Sequence, residues 1–184
     1  MNSQSLLFSQ CTSRCCNILR RPVRHFDEPN YSQSDRKKYG RQKGGVFIYD
    51  PVTTRVLLVQ SRWEKWGAPK GTREDEDATI ERCALRELQE ESGITLEEGD
   101  LGKSFRIDRA HYFYVELPYA DYGPTMGNFL TTVELDNDAT GITWITKSCL
   151  ETLIQKNAID LNSHCKKLLT HFLKIQFNKK INLS

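Results

Sequence analysis

The chain has 184 residues, of which 38% are hydrophobic and 27% charged, and its formal net charge is +2. This length and hydrophobic content are typical of one compact domain with extensions. The sequence contains no internal repeat, no low-complexity segment, no secretory segment and no long apolar span. These absences exclude a repeat protein, and we expect no association with a membrane.

The charges divide the chain into three parts. Residues 1–45 have nine Lys or Arg and three Asp or Glu, residues 46–160 have twelve and twenty-one, and residues 161–184 have five and none. Basic ends around an acidic centre suit a protein that attracts a polyanion and holds metal cations at its site. An ordinary solubilising surface with a basic tail explains the same charges equally well.

The six cysteines are scattered and lack the paired spacing of a zinc site, so free thiols in a reducing compartment are expected. They are Cys11, Cys15, Cys16, Cys83, Cys149 and Cys165. We therefore expect a cytoplasmic protein. Residues 1–26, which contain four Arg, several Ser and no acid, also fit a signal for import into an organelle.

Residues 1–43 are polar, basic and aperiodic, which predicts an N-terminal extension that is flexible or adds a strand. One folded domain that ends in helices is then expected over residues 44–184. It begins with a hairpin, in which residues 46–49 and 55–59 are β-like and residues 50–54 form the turn between them.

A loop rich in Gly and Pro is predicted over residues 63–72, followed by a helix over residues 79–91. Asp77 is a candidate for its N-cap and Gly93 for its left-handed end. Strands are then predicted over residues 112–117, 128–135 and 141–146, and helices over residues 148–156 and 161–177. This order predicts an α/β or mixed α+β domain with a mixed β-sheet and helices on both faces.

Three carboxylates are predicted to converge on one face of the first helix, because Glu87, Glu90 and Glu91 recur at its 3.6-residue period. Their repulsion costs about 0.2–0.5 kcal/mol per i,i+4 pair, and acids in a last turn also oppose the helix dipole. A divalent cation such as magnesium would turn this cost into a binding site. A solvated acidic face is the alternative interpretation of the three glutamates alone.

The loop before the helix favours the metal site. Pro69, Lys70 and Gly71 supply a stiff turn, a cation and a residue without a Cβ, which together suit the close approach of a phosphate. Arg86 is placed to pair with a carboxylate and fix its rotamer.

These residues resemble the Nudix box, which is Gly, five residues, Glu, seven residues and then Arg-Glu-U-x-Glu-Glu-x-Gly-U, where U is aliphatic. Residues 86–94, Arg-Glu-Leu-Gln-Glu-Glu-Ser-Gly-Ile, match every specified position. The first half departs from the pattern, because Gly71 and Arg86 are one residue further apart and Ala78 stands where the helix register expects the first Glu. Asp77 or Glu76 is the candidate substitute.

The resemblance, which covers residues 44–153, implies a Nudix-type α/β/α sandwich and a metal-dependent pyrophosphohydrolase. It implies catalytic roles for Arg86, Glu87, Glu90 and Glu91. It also implies two or more magnesium or manganese ions bound by Glu87, Glu90, Glu91 and Gly71. The metals would neutralise the diphosphate and place the attacking water, while one of the helix glutamates or an acid on a distant loop would serve as general base.

Residues 66–71, Trp-Gly-Ala-Pro-Lys-Gly, most resemble the mRNA-decapping branch of the family, including its viral members, in which Trp-Gly-Phe-Pro-Lys-Gly is usual. That branch implies substrate contacts by Trp66, Lys70 and Gly71. It also implies a general base six residues before Trp144, where this chain has Asp138, with Glu134 as the other candidate.

Capped RNA is therefore the first expected substrate, with 7-methylguanosine diphosphate as product and the basic ends as RNA contacts. A base could stack on Trp63, Trp66, Tyr112 or Tyr114. Hydrolysis of diadenosine polyphosphate or diphosphoinositol polyphosphate is the alternative, because Pro-Lys-Gly also occurs in those enzymes. A nucleotide-sensing Nudix module without catalysis is disfavoured, because all three glutamates are present.

Overall fold

The computed structural model describes residues 16–20, 40–61, 65–123 and 139–177. Within these ranges the strands are β1 (Asn17–Arg20), β2 (Lys43–Asp50), β3 (Arg55–Gln60), β4 (Trp66–Gly67), β5 (Lys70–Thr72), β6 (Ser104–Ile107), β7 (Ala110–Glu116) and β8 (Gly141–Thr146). The helices are α1 (Ile80–Ser92), α2 (Tyr119–Tyr122), α3 (Lys147–Gln155) and α4 (Ser163–Leu173). None of the helices in these ranges is long and apolar enough to cross a membrane.

The strands form one mixed sheet in the order β1-β8-β3-β2-β7-β6, with β4 paired to β3 and β5 paired to β2. β2 and β7 run parallel, from Lys43 opposite Ala110 to Tyr49 opposite Glu116, and the other pairs are antiparallel. The predicted mixed sheet is therefore confirmed.

The central strand β2 is buried on both faces, which explains its unbroken apolar run. Val46 and Ile48 point to a core shared with Leu88 of α1, whereas Phe47 points to a second core shared with Leu168 of α4. Helices thus cover both faces of the sheet, as the predicted sandwich requires.

Helix α1 begins and ends at residues that satisfy its terminal backbone groups. The hydroxyl of Thr79 accepts a hydrogen bond from the backbone N–H of Arg82, and Gly93 ends the helix with a φ of 79°. Gly93 was predicted correctly. The prediction of Asp77 as N-cap was wrong, because its carboxylate binds the N–H of Glu74 and the guanidinium of Arg86 instead.

Other elements differ from their predicted bounds for local reasons. The hairpin β2–β3 and strand β8 are confirmed, whereas the predicted loop over residues 63–72 contains the short strands β4 and β5. Helix α4 begins at Ser163, after its N-cap Asn162, and ends before the left-handed Lys174 rather than at residue 177. The strand predicted over residues 128–135 lies outside the described residues.

The N-terminal extension and the cysteines were also the subject of predictions. Residues 17–20 of the N-terminal extension pair antiparallel with β8, from Asn17 opposite Trp144 to Arg20 opposite Gly141. Among the described cysteines, the buried Cys83 and Cys165 are free thiols, as predicted.

Candidate metal and diphosphate site

The candidate site forms where α1 lies directly on strands β2 and β5. Gly44 of β2 faces the helix so closely that a Cβ there would come within 2.6 Å of the Ala84 nitrogen and 2.7 Å of the Ile80 oxygen. β5 pairs with the start of β2, with Gly71 opposite Gly44 and Lys70 opposite Gly45. Gly44 and Gly71, which pair across β2 and β5, therefore allow the Pro-Lys-Gly segment to lie close to the glutamate face of α1.

Arg86 holds the polar groups of this site in place. Its Nη1 donates to Oε1 of Glu87 at 3.1 Å and to both carboxylate oxygens of Glu90 at 3.2 and 3.3 Å. Its Nη2 also donates to the carbonyl oxygen of Thr72 in β5, at 3.1 Å. Arg86 thus pairs with the carboxylates, as predicted, and its planar guanidinium also ties the helix to the neighbouring strand.

Asp77 is the second anchor of Arg86. Nε of Arg86 donates to Oδ1 of Asp77 at 3.1 Å, and Nη2 donates to Oδ2 at 2.8 Å. Burial of Asp77 raises the pKa of its carboxyl, but the hydrogen bonds from Arg86 and from the Glu74 N–H outweigh burial and hold that pKa below its usual value. Asp77 stands six residues after Gly71, and Glu76 is exposed, so Asp77 orients Arg86 in place of the missing first glutamate.

Glu87 is packed against the backbone of Gly71. A Cβ at position 71 would overlap the Glu87 carboxylate, so only glycine leaves room for it. Burial, assisted by the negative charge of Glu90 and opposed by Arg86, raises the pKa of Glu87 to about 7. A cation beside this carboxylate would favour its ionised form.

Glu91 lies apart from the other two glutamates. Its Oε2 accepts a hydrogen bond of 2.8 Å from the backbone N–H of Lys70. Across the described ranges, no three acidic, His or Cys side chains stand ready to hold a metal ion. The predicted convergence is therefore incomplete, because Arg86 draws Glu87 and Glu90 together while the loop holds Glu91.

The donor chemistry nevertheless fits a hard divalent cation. The Glu87 carboxylate lies against Gly71, Arg86 holds Glu90 beside it, and Glu91 is bound to the N–H of the preceding Lys70. The Gly71 carbonyl oxygen accepts a weak bond from the Cys83 thiol at 3.8 Å. Carboxylate and carbonyl oxygens are the ligands that magnesium and manganese prefer.

The predicted substrate contacts are distributed differently from expectation. Lys70 donates its backbone N–H to Glu91, but its side chain projects from the α4 face of the sheet, beside Tyr112. Trp66 is 2% exposed and Tyr112 is 1% exposed, so neither ring is open to stack on a base. Tyr114 is partly exposed. Trp63, Glu134 and Asp138 lie outside the described residues.

Two residues near the site were missed by sequence reasoning. Lys43 opens β2 opposite Thr72, and His164 lies in the first turn of α4, where its Nδ1 is 3.0 Å from the Tyr112 hydroxyl. The sequence could have indicated Lys43, because it is the cation next to Gly44. The sequence could not have indicated His164, because only the packing of α4 on the sheet brings it near the site.

Both the sequence and the fold of the chain resemble those of known proteins. Residues 41–146, more than half of the chain, match the NUDIX domain. The chain is 30% identical over 154 residues to "Putative hydrolase 111R" of Invertebrate iridescent virus 3, an alignment that covers 83% of this chain and 80% of the viral protein.

Two crystal structures of a bifunctional NMN adenylyltransferase/ADP ribose pyrophosphatase from Francisella tularensis share the fold. The complex with AMP and Mn ion has a TM-score of 0.52 at 20% identity and covers 73% of this chain and 41% of that chain. The other structure has a TM-score of 0.53 at 20% identity and covers 74% and 41%. This chain thus spans less than half of that bifunctional protein. With the match over residues 41–146, the chain belongs to the NUDIX domain family.

Proposed function

We propose that this chain, a Nudix pyrophosphohydrolase, cleaves the diphosphate bridge of an mRNA cap and releases 7-methylguanosine diphosphate. Glu87, Glu90 and Glu91, together with the Gly71 carbonyl, would hold two or more magnesium or manganese ions. The proposal rests on the glutamate face of α1. Arg86 fixes Glu87 and Glu90 there, and the Glu87 carboxylate occupies the space that a Cβ at Gly71 would need.

The chain's own residues prepare the site for such a reaction. Bound divalent ions would supply charge neutralisation of the phosphate oxygens and a lowered pKa for the attacking water. Arg86 keeps Glu87 and Glu90 oriented, so that little rearrangement is needed when a cation arrives. Glu91 is positioned by the Lys70 N–H and is one candidate general base. Asp138 and Glu134, which lie outside the described residues, are the other candidates.

Three observations favour capped RNA as the substrate. Residues 66–71 resemble the decapping branch of the family, and both ends of the chain are basic. Exposed Lys166 and Lys167 add positive charge to α4 among the described residues, and lysines contribute most of the sequence-independent affinity for a nucleic acid backbone.

A small polyphosphate such as diadenosine tetraphosphate or diphosphoinositol phosphate is the second candidate. Lys43, Lys70 and His164 lie close together beside the site and would suit a compact, highly charged substrate. The purified chain should be incubated with capped RNA and with each small molecule, with manganese present. Release of 7-methylguanosine diphosphate supports decapping, whereas turnover of small molecules alone contradicts it.

The role of the glutamates is tested by Glu90→Gln, which keeps the shape of the side chain and removes its charge. We expect the rate to fall at least ~100-fold, because a metal ligand is lost, while thermal unfolding stays close to wild type. Glu81→Gln, in the first turn of the same helix, is the matched control and should retain activity. Unchanged manganese-dependent hydrolysis by the Glu90 variant would refute the proposed site.

A further inference from the structure

A group of positive side chains lies on the α4 face of the sheet, opposite the glutamates. Lys43 and Gly45 are two residues apart in β2 and therefore share a face of the sheet. Gly45 pairs with both Lys70 and Tyr112. A Cβ at Gly45 would come within 2.6 Å of the Lys70 Cβ and 2.9 Å of the Tyr112 ring. Lys43 and Lys70 therefore project from the same side of two adjacent strands.

Helix α4 adds His164 to this group. The Tyr112 hydroxyl and His164 Nδ1 share a hydrogen bond of 3.0 Å, and His164 Nε2 is 3.5 Å from the Asp108 carboxylate. Lys167, one turn further along α4, is 3.6 Å from the same carboxylate. His164 is thus held in one place, in a first helical turn where the backbone dipole adds positive potential.

The described acids around these lysines are not in ion-pair contact with them, although Glu87 and Glu91 act on Lys43 at longer range. Neither Lys43 nor Lys70 forms an ion pair with an acid of residues 40–61, 65–123 and 139–177. Asp108, the acid next to His164, is 70% exposed and is shared with Lys167. Two half-buried ammonium groups and an imidazole therefore meet at a place where an anion would stabilise all three.

Two pKa shifts agree in direction with an excess of positive charge around Lys43, Lys70 and His164. Burial and the neighbouring Lys70 lower the pKa of Lys43, although Glu87 and Glu91 oppose the shift. Burial, Lys70, Lys167 and Lys43 lower the pKa of His164, and Asp108 is the opposing acid.

We propose that Lys43, Lys70 and His164 form a second anion subsite, which binds a phosphate group of the substrate other than those at the glutamate face. The two ammonium groups would donate to its oxygens, and the protonated ring of His164, whose nitrogens face Tyr112 and Asp108, would add positive charge beside them. The inference rests on the proposed function only in assigning this phosphate to the same polyphosphate substrate. β5 would then lie between two phosphate-binding places, with Gly71 facing one and Lys70 facing the other.

The subsite is tested by calorimetric titration of the full chain with inorganic tripolyphosphate, without divalent ions. Lys43→Met and His164→Gln should each weaken binding about tenfold, whereas Lys147→Met on α3, the matched control, should leave it unchanged. Lys43→Arg should retain most of the affinity, and circular dichroism should show that each variant is folded. Wild-type affinity in both Lys43→Met and His164→Gln would overturn the proposal and leave the lysines as counter-charges of the glutamates.

A second readout separates a contribution of the His164 charge from a purely structural role. Anion binding favours the protonated imidazole, so wild-type affinity relative to His164→Gln should rise as the pH is lowered from about 7.5 to about 5.5. A constant ratio would contradict a role for the His164 charge. Because neither experiment uses capped RNA or turnover, failure of the decapping assay would leave these results independent.

Discussion

Gly71 shows how one missing side chain can be a requirement of a site. Its backbone lies against the Glu87 carboxylate, in space that any Cβ would occupy. The same residue belongs to β5, which pairs with β2, so the strand cannot move away without breaking the ladder. The position of Glu87 is therefore set by a neighbour that makes contact through its backbone.

We predict that Gly71→Ala lowers activity about 100-fold, because the added methyl group displaces the Glu87 carboxylate by roughly 1 Å or more. The manganese concentration that gives half-maximal rate should rise as well. Gly99→Ala is the control, because a Cβ at Gly99 meets no atom within 4 Å. Steady-state rates over a manganese titration measure both effects, and wild-type kinetics for Gly71→Ala would contradict the assigned contact.

At the scale of elements, the junction between the loop and α1 is fixed by one buried ion pair. Asp77 is 7% exposed and binds the loop through the Glu74 N–H at 2.8 Å and the helix through Arg86. Thr79 caps the helix two residues later. The extra residue between Gly71 and Arg86 is thus accommodated in the turn, and the pairing of the arginine with an acid is kept.

We expect Asp77→Asn to destabilise the folded chain by about 1–3 kcal/mol at pH 7, because a buried charge-assisted bond is lost. The pKa of Asp77 is lower in the folded state, so its carboxylate contributes fully above pH ~4, and this contribution is lost as the pH falls through the folded-state value. The difference from wild type should therefore narrow as the pH falls from ~4 to ~2. Urea unfolding at these pH values measures it.

The control for that experiment is Asp75→Asn. Asp75 is 84% exposed on its side chain and pairs with Arg41 at the surface, so the change should be within ~0.5 kcal/mol. A pH-independent gap between wild type and the Asp77 variant would contradict the low pKa assigned to Asp77.

The elements that could be predicted from sequence are those with long patterns of their own. β2, β3, β8 and α1 have six or more residues with clear apolar periodicity or strong end signals. β4 has two residues and β5 has three. These strands are defined by their pairing with β3 and β2, and not by a hydrophobic pattern of their own. Such pairings depend on the whole sheet and leave no local trace.

The same distinction applies to the candidate site. The glutamates, Arg86 and Gly71 could be found because they lie within one continuous motif. Lys43, Tyr112 and His164 come from three separate elements and meet through the sheet register and the packing of α4. Burial also decides the part played by Trp66, whose ring the sequence alone places at the substrate and the fold places in the core.

At the scale of the whole molecule, the charges separate into an acidic centre and basic ends. If the basic ends contact RNA, KM for a long capped RNA should rise steeply between about 50 and 200 mM salt, because each phosphate contact releases a counterion. KM for a capped dinucleotide should change much less. Kinetics at several salt concentrations with both substrates measure the slopes, and equal slopes would show that the ends do not bind RNA.

Strand β1 has a further consequence for the behaviour of the chain in solution. By pairing with β8, residues 17–20 cover backbone amides and carbonyls that would otherwise offer a template for strands of other molecules. A strand of four residues is itself a short and poor template. Loss of this segment would expose β8 and favour self-association through its uncovered edge.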